Sequence, residues 1–136
     1  MRPRILIADD DAVIRKMIRK LLEQSGEWQV IGEAVDGADA VAKSEELAPD
    51  LVVLDLTMPH MSGLDAGSEI SKRFPQIHML LLTLHEITPQ LVNAATRAGF
   101  QGALSKAMSM QLATGIKTIL SEEQFFRLSP PSNTVR

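Results

Sequence analysis

A chain of 136 residues, 45% hydrophobic and 23% charged, is sized for a single domain able to bury a substantial core. The net charge of -3 provides no basic footprint for a polyanion, so direct contact with nucleic acid is not expected. Cysteine is absent, which excludes disulfides and thiolate metal sites, and the 4% aromatic share leaves the core to Leu, Ile, Val, Ala and Met.

In chain order, the first element is RILIA (4–8), too short an apolar run for a signal peptide and followed at once by Asp9, Asp10 and Asp11. No later run approaches the roughly 18 apolar residues of a membrane span, and the expectation is a cytoplasmic protein without membrane contact. Val13, Ile14, Met17, Ile18, Leu21 and Leu22 recur at helical spacing, with Lys and Arg between them, up to Gly26. That pattern predicts an amphipathic helix. A partly apolar strand, WQVIGEA (28–34), precedes an Ala-rich helix that begins near residue 37 and stops before Pro49. LVVLD (51–55) is apolar until it delivers Asp55 into a loop holding Pro59 and Gly63. A helix from residue 64 stops before Pro75, and HMLLLT (78–83) is the fourth strand. The next helix opens at Pro89 and closes on Gly99. GALS (102–105) is a short fifth strand, and a last helix runs from about Ser109 to Leu120. Residues 1–120 are thus expected to form the domain. Residues 121–136, ending in the polar, Pro-containing RLSPPSNTVR, read as a tail or linker that is disordered in part.

Five strand-then-helix repeats whose strands lack polar alternation argue for a parallel α/β sheet covered on both faces. In such sheets ligands bind outside the carboxyl ends of the strands. There the sequence places Asp9, Asp10 and Asp11 after the first strand, Asp55 after the third, Thr83 at the end of the fourth and Lys106 after the fifth. Carboxylates brought together repel unless a cation sits between them, and a hard divalent ion such as Mg²⁺ suits oxygen ligands of this kind. Lys106 can neutralise a phosphoryl oxygen and the Thr83 hydroxyl can donate to another, a set of groups suited to phosphoryl transfer with Asp55 as nucleophile. Each residue also has a plain structural reading: the acids as a helix cap, Asp55 as a turn former, Thr83 as a strand end, Lys106 as a solvated surface charge. Their joint placement on four strand ends favours the chemical reading. His60, His78 and His85 lack the spacing of a transition-metal site.

ILIADDD, LVVLDLTMPHMSGLD, LLLTLH and GALSK resemble the successive signature segments of the response-regulator receiver domain of two-component signalling, over nearly the whole chain to about residue 120. The resemblance implies a flavodoxin-like (βα)5 doubly wound sheet of strand order 2-1-3-4-5, with Asp55 as phosphoacceptor. It further implies Mg²⁺ held by Asp9, Asp10 and Asp55 with the Thr57 backbone carbonyl, Asp10 being the more direct ligand of the acidic pair. Thr83 matches the family's switch hydroxyl and Lys106 its phosphate-contacting lysine. The implied partner is a sensor histidine kinase or phosphotransfer protein, and a homodimer is compatible with the family. The implied role is a signalling switch that catalyses only its own phosphorylation and dephosphorylation, not a conventional enzyme. VIGEAVDGADAV resembles the subfamily usually joined to a C-terminal helix-turn-helix output domain, which is not expected within these 136 residues.

The chain departs from the family pattern at two positions. Ala103 stands where an aromatic is frequent, and Ala107 follows the lysine where proline is frequent. Thr57 and His85 occupy positions resembling those that tune dephosphorylation. Ala103 keeps a second reading open, a degenerate receiver acting as a phosphorylation-independent interaction module. A third, a hydrolase of the haloacid-dehalogenase type, requires a second Asp two residues after the nucleophile, and Thr57 occupies that position.

Overall fold

The computed structural model describes residues 2–130. Six parallel strands form one sheet: β1 (Arg4–Ala8), β2 (Gln29–Ala34), β3 (Leu51–Leu54), β4 (His78–Thr83), β5 (Gly102–Ser105) and β6 (Phe125–Phe126). Their order is β2-β1-β3-β4-β5-β6, which is the expected flavodoxin-like order with one strand added at the edge. The crossovers are α1 (Ala12–Ser25), α2 (Gly37–Leu47), α3 (Gly63–Arg73), α4 (Pro89–Ala98) and, after a 3-10 helix at Lys106–Gln111, α5 (Leu112–Leu120).

Alternate side chains of each strand divide between two cores, as the pleat requires. Leu6, Ala8, Val52, Leu54, Met79 and Leu81 pack with the buried residues of α2, α3 and α4. Ile5, Ile7, Val53, Leu80 and Leu82 pack on the other face against Ile18 and Leu22 of α1 and Leu112, Ile116 and Ile119 of α5. Helices wet on one side and strands wet on neither follow from that layering. Side-chain caps set the helix starts: Asp11 accepts from the Val13 and Ile14 amides, and Ser62 and Thr88 each accept one amide of the turn they open. Gly26 and Gly99 end α1 and α4 with φ of 71° and 102°, which only glycine adopts without strain.

The segment expected to be a tail differs from its composition. Up to residue 130 it folds back onto the sheet edge, where Phe125 and Phe126 of β6 pair with Gly102 and Ala103. Phe125 is fully buried among α5 and the strands, in space that Gly115 leaves open: a Cβ there would come within 2.8 Å of the Phe125 ring. Two adjacent aromatic residues are too short a signal to stand out from the polar stretch that follows them. Residues 131–136 of the expected disordered segment lie outside the described residues. Among the described residues no helix is long and apolar enough to cross a membrane.

Candidate functional site

Strand register brings the expected groups together. Ala8 and Leu54 are lateral partners at the ends of β1 and β3, so the next residues, Asp9 and Asp55, emerge side by side. The Asp9 amide donates to the Ala34 carbonyl and the Asp55 amide to the Ala8 carbonyl, so neither acid is free to swing outward on its backbone. One carboxylate oxygen from each of Asp9, Asp10 and Asp55 lies within 4.8 Å of the others. Asp9 and Asp55 are buried, whereas Asp10 faces solvent. Close to β3, Gly63 permits the turn that follows Asp55: its amide donates to the Leu56 carbonyl, and a Cβ would stand 2.0 Å from the Asp55 carbonyl oxygen.

Lys106 follows β5 and turns its ammonium into the acids, 2.6 Å from Asp9 Oδ2 and 3.3 Å from Asp55 Oδ1. Asp9 Oδ2 is buried with the Lys106 ammonium set against it, while Asp9 Oδ1 accepts the Asp11 amide. Burial, together with the neighbouring Asp9 charge, pushes the Asp55 carboxyl above the usual carboxylate value, against the opposing pull of Lys106. Burial pulls the Lys106 ammonium down, but Asp9 and Asp55 together outweigh it and leave its pKa raised.

The three consecutive acids have separate places. Asp9 is inside the pocket, Asp10 is at its mouth, and Asp11 is the α1 cap, so the structural reading holds for Asp11 and the clustered one for its two neighbours. Thr83 is fully buried at the end of β4, and its hydroxyl accepts the His85 amide. Thr57 is exposed, and its Oγ1 lies 2.8 Å from His85 Nε2, joining the loops after β3 and β4. Ala103 is buried on β5 beside Phe126, and no cis peptide occurs among the described residues.

Arg15 escaped the sequence reading. Its position among the polar residues of α1 marks it as solvated, yet its Nη1 donates to the Asp9 carbonyl at 2.7 Å and its Nε to Glu33. Helical periodicity alone carries no signal for a long side chain that folds back over its own N-terminus. A cavity of about 470 Å³ lined by Arg2, Arg4, Asp50 and His78 lies at the opposite ends of the strands and holds none of these groups.

Residues 5–120 match the response regulator receiver domain family. Chemotaxis protein CheY of Thermotoga maritima is 43% identical over 81 residues, which cover 60% of this chain and 67% of CheY. Response regulator protein VraR of Staphylococcus aureus is 34% identical over 127 residues, 93% of this chain and 60% of VraR. The chain therefore spans about 60% of the length of that relative. A two-component response regulator of the LuxR family from an Aurantimonas species superposes with a TM-score of 0.87 at 29% identity, over 92% of this chain and 89% of that one. The signal receiver domain of NarL from Mycobacterium tuberculosis gives 0.82 at 26%, over 88% and 97%.

Proposed function

The chain belongs to the response regulator receiver domain family of two-component systems, and from that premise we propose that it is a phosphorylation-dependent switch whose phosphoacceptor is Asp55. The observation that carries this reading is the gathering of Asp9, Asp10 and Asp55, with the buried Lys106 ammonium against Asp9 and Asp55. Domains of this family are signalling proteins and not conventional enzymes. In this reading residues 1–120 are the receiver unit, and residues 121–130 are an extension docked on it.

The donor set fits Mg²⁺: three carboxylates offer oxygens within 4.8 Å of one another, an all-oxygen set of the kind a hard divalent ion takes. Asp9, Asp10 and Asp55, with the Thr57 backbone carbonyl, would hold the ion, which when bound supplies neutralisation of phosphoryl-oxygen charge. Asp55 provides the attacking carboxylate oxygen. As its bond to phosphorus forms, the phosphorus–nitrogen bond to the imidazole of a histidine kinase or phosphotransfer protein breaks. Burial keeps the Asp55 oxygen basic for a carboxylate, which favours attack once it is ionised. Lys106 then exchanges its Asp55 contact for a phosphoryl oxygen. The Thr83 hydroxyl leaves the His85 amide and donates to another, drawing the loop after β4 with it.

Acetyl phosphate with Mg²⁺ should add one phosphoryl group to the protein by intact mass, and Asp55→Asn should abolish the addition. No addition, or addition undiminished in the variant, overturns the assignment. The same titration read by light scattering tests phosphorylation-dependent homodimerisation. Ala103 favours one second reading, a module that binds its partner irrespective of phosphorylation. Equal partner affinity for the modified and unmodified protein would select it.

A further inference from the structure

We infer that the segment Phe125–Ser129 is a strap that holds the loop after β4 in its resting place and is loosened when Thr83 moves. The inference rests on the phosphoacceptor reading above for its trigger, while the strap's contacts stand on geometry alone.

The strap is anchored at both ends. At its start the Phe125 amide donates to the Gln101 carbonyl, and the ring fills the space beside Gly115. In the middle the Arg127 amide donates to the Ala103 carbonyl, so the pairing continues along β5. Phe126 packs, half-buried, on the cluster that includes Ala103, Ile87, Ala95 and Leu91. The methyl of Ala103 leaves this ring its place, since the two residues are lateral partners in a parallel pair and their side chains share a face. At its far end the strap makes a reciprocal pair of bonds: the Ser129 amide to the Ile87 carbonyl at 3.0 Å, and the Ile87 amide to Ser129 Oγ at 2.8 Å.

Ile87 is four residues beyond Thr83, and the stretch between them is the loop whose His85 amide occupies the Thr83 hydroxyl. The strap thus fixes one end of the loop while Thr83 fixes the other. A displacement that carries Thr83 towards Asp55 pulls on the Ile87 pair, and breaking that pair leaves a buried Ile87 backbone without partners. Phe125 lies on the opposite core and does not share that loop, so the loosening is confined to Phe126–Ser129. Coupling of this kind is reciprocal: whatever frees the strap also eases Thr83 into its phosphate-bound place.

Hydrogen exchange on the full chain tests both directions. First, Phe126→Ala with Ser129→Ala, read without any phosphodonor, should speed exchange of the His85 and Ile87 amides by about tenfold and leave the Ile7 and Val53 amides unchanged. Second, in the parent protein with Mg²⁺ and either acetyl phosphate or beryllofluoride, the Arg127 and Ser129 amides should speed up by a similar factor while that of Phe125 does not. Third, the double variant should reach a higher phosphorylated fraction at a given donor concentration. Unchanged loop amides in the variant overturn the strap. A protein modified at Asp55 with unchanged Arg127 and Ser129 amides overturns its release. Loosened loop amides in the variant together with no modification of the parent overturn the phosphoacceptor reading instead, and leave the strap-to-loop contact established.

Discussion

Replacing Lys106 by Met is expected to destabilise the protein by about 3–5 kcal/mol at neutral pH, the cost of breaking a buried ion pair from one side. The ammonium lies 2.6 Å from Asp9 and 3.3 Å from Asp55, and the three side chains are 6%, 2% and 9% exposed. Met keeps an unbranched apolar stem and removes the charge. What remains is a set of carboxylates within 4.8 Å of one another, and at an effective dielectric of about 20 two unit charges at that spacing repel by roughly 3.5 kcal/mol. Both routes give the same order. Asp55, already pushed up by burial and then by Asp9, is the group that takes up a proton to relieve the repulsion. Its folded pKa lies above its unfolded one, so the stabilisation from protonation is complete below the unfolded value and disappears as pH rises through the folded value. The penalty of the variant should therefore be largest at neutral pH and shrink on acidification. In EDTA at about pH 7, thermal unfolding should fall by about 12–20 °C, taking about 4 °C per kcal/mol for a chain of this length. Millimolar Mg²⁺ should raise the Tm of the variant more than that of the parent, because the ion replaces the missing charge. A variant that melts within about 3 °C of the parent in EDTA would refute the reasoning, since the ammonium would then not be the group that makes the acids tolerable.

Further perturbations test other parts of the structure. Phe125→Ala should cost about 3–5 kcal/mol in urea unfolding, as for a buried aromatic; a cost near zero would mean β6 adds nothing to the core. Gly63→Ala forces a Cβ against the Asp55 carbonyl oxygen, so it should lower stability by about 1–3 kcal/mol and slow acetyl-phosphate labelling of Asp55, both read on the same sample. Glu33 is held below the ordinary carboxylate value by its hydrogen bond from Arg19, opposed by burial and reinforced by Arg15. Its contribution is present above the unfolded value, near 4.5, and is lost as pH falls through the lower folded value. Glu33→Gln should cost about 1 kcal/mol at neutral pH, and its stability curve should converge with that of the parent in acid. Asp11→Ala should cost about 1 kcal/mol through loss of the α1 cap without reducing Mg²⁺ affinity, which separates Asp11 from Asp9 and Asp10.

Much of the fold was legible because its strands are unbroken apolar runs. RILIA, HMLLLT and GALS form strands at the residues where their apolar runs place them. Helix starts were legible where a cap or a proline marks them, as at Pro89. The last helix was not: Ser109 reads as its start, but α5 begins at Leu112 after a 3-10 stretch in which Met108 leaves helical geometry. Nothing in the composition of KAMSMQ distinguishes the two helix types. β6 escaped because two residues have no period, and its place is made by residues outside it: Gly102 and Ala103 pair with it, and Gly115 leaves room for the Phe125 ring. Arg15 escaped for a related reason, since the acceptor that claims it is a backbone carbonyl, and every residue has one.

The pocket follows from register. A strand alternates its faces with a period of two, so a slip of one residue would exchange them. With Ala8 beside Leu54, Asp9 and Asp55 leave the sheet together. With Thr83 beside Ser105, Lys106 leaves it one step later, directly above them. A one-residue slip between β1 and β3 would turn one acid into the apolar core while the other stayed in the pocket, and an isolated buried carboxylate is among the costliest errors a core can contain. Ala8, Leu54 and Leu81 pack in one core and Ile7, Val53 and Leu80 in the other, so both faces accept apolar side chains. The acids, tolerated only where they leave the sheet together, help to select the register that carries the charges to one place.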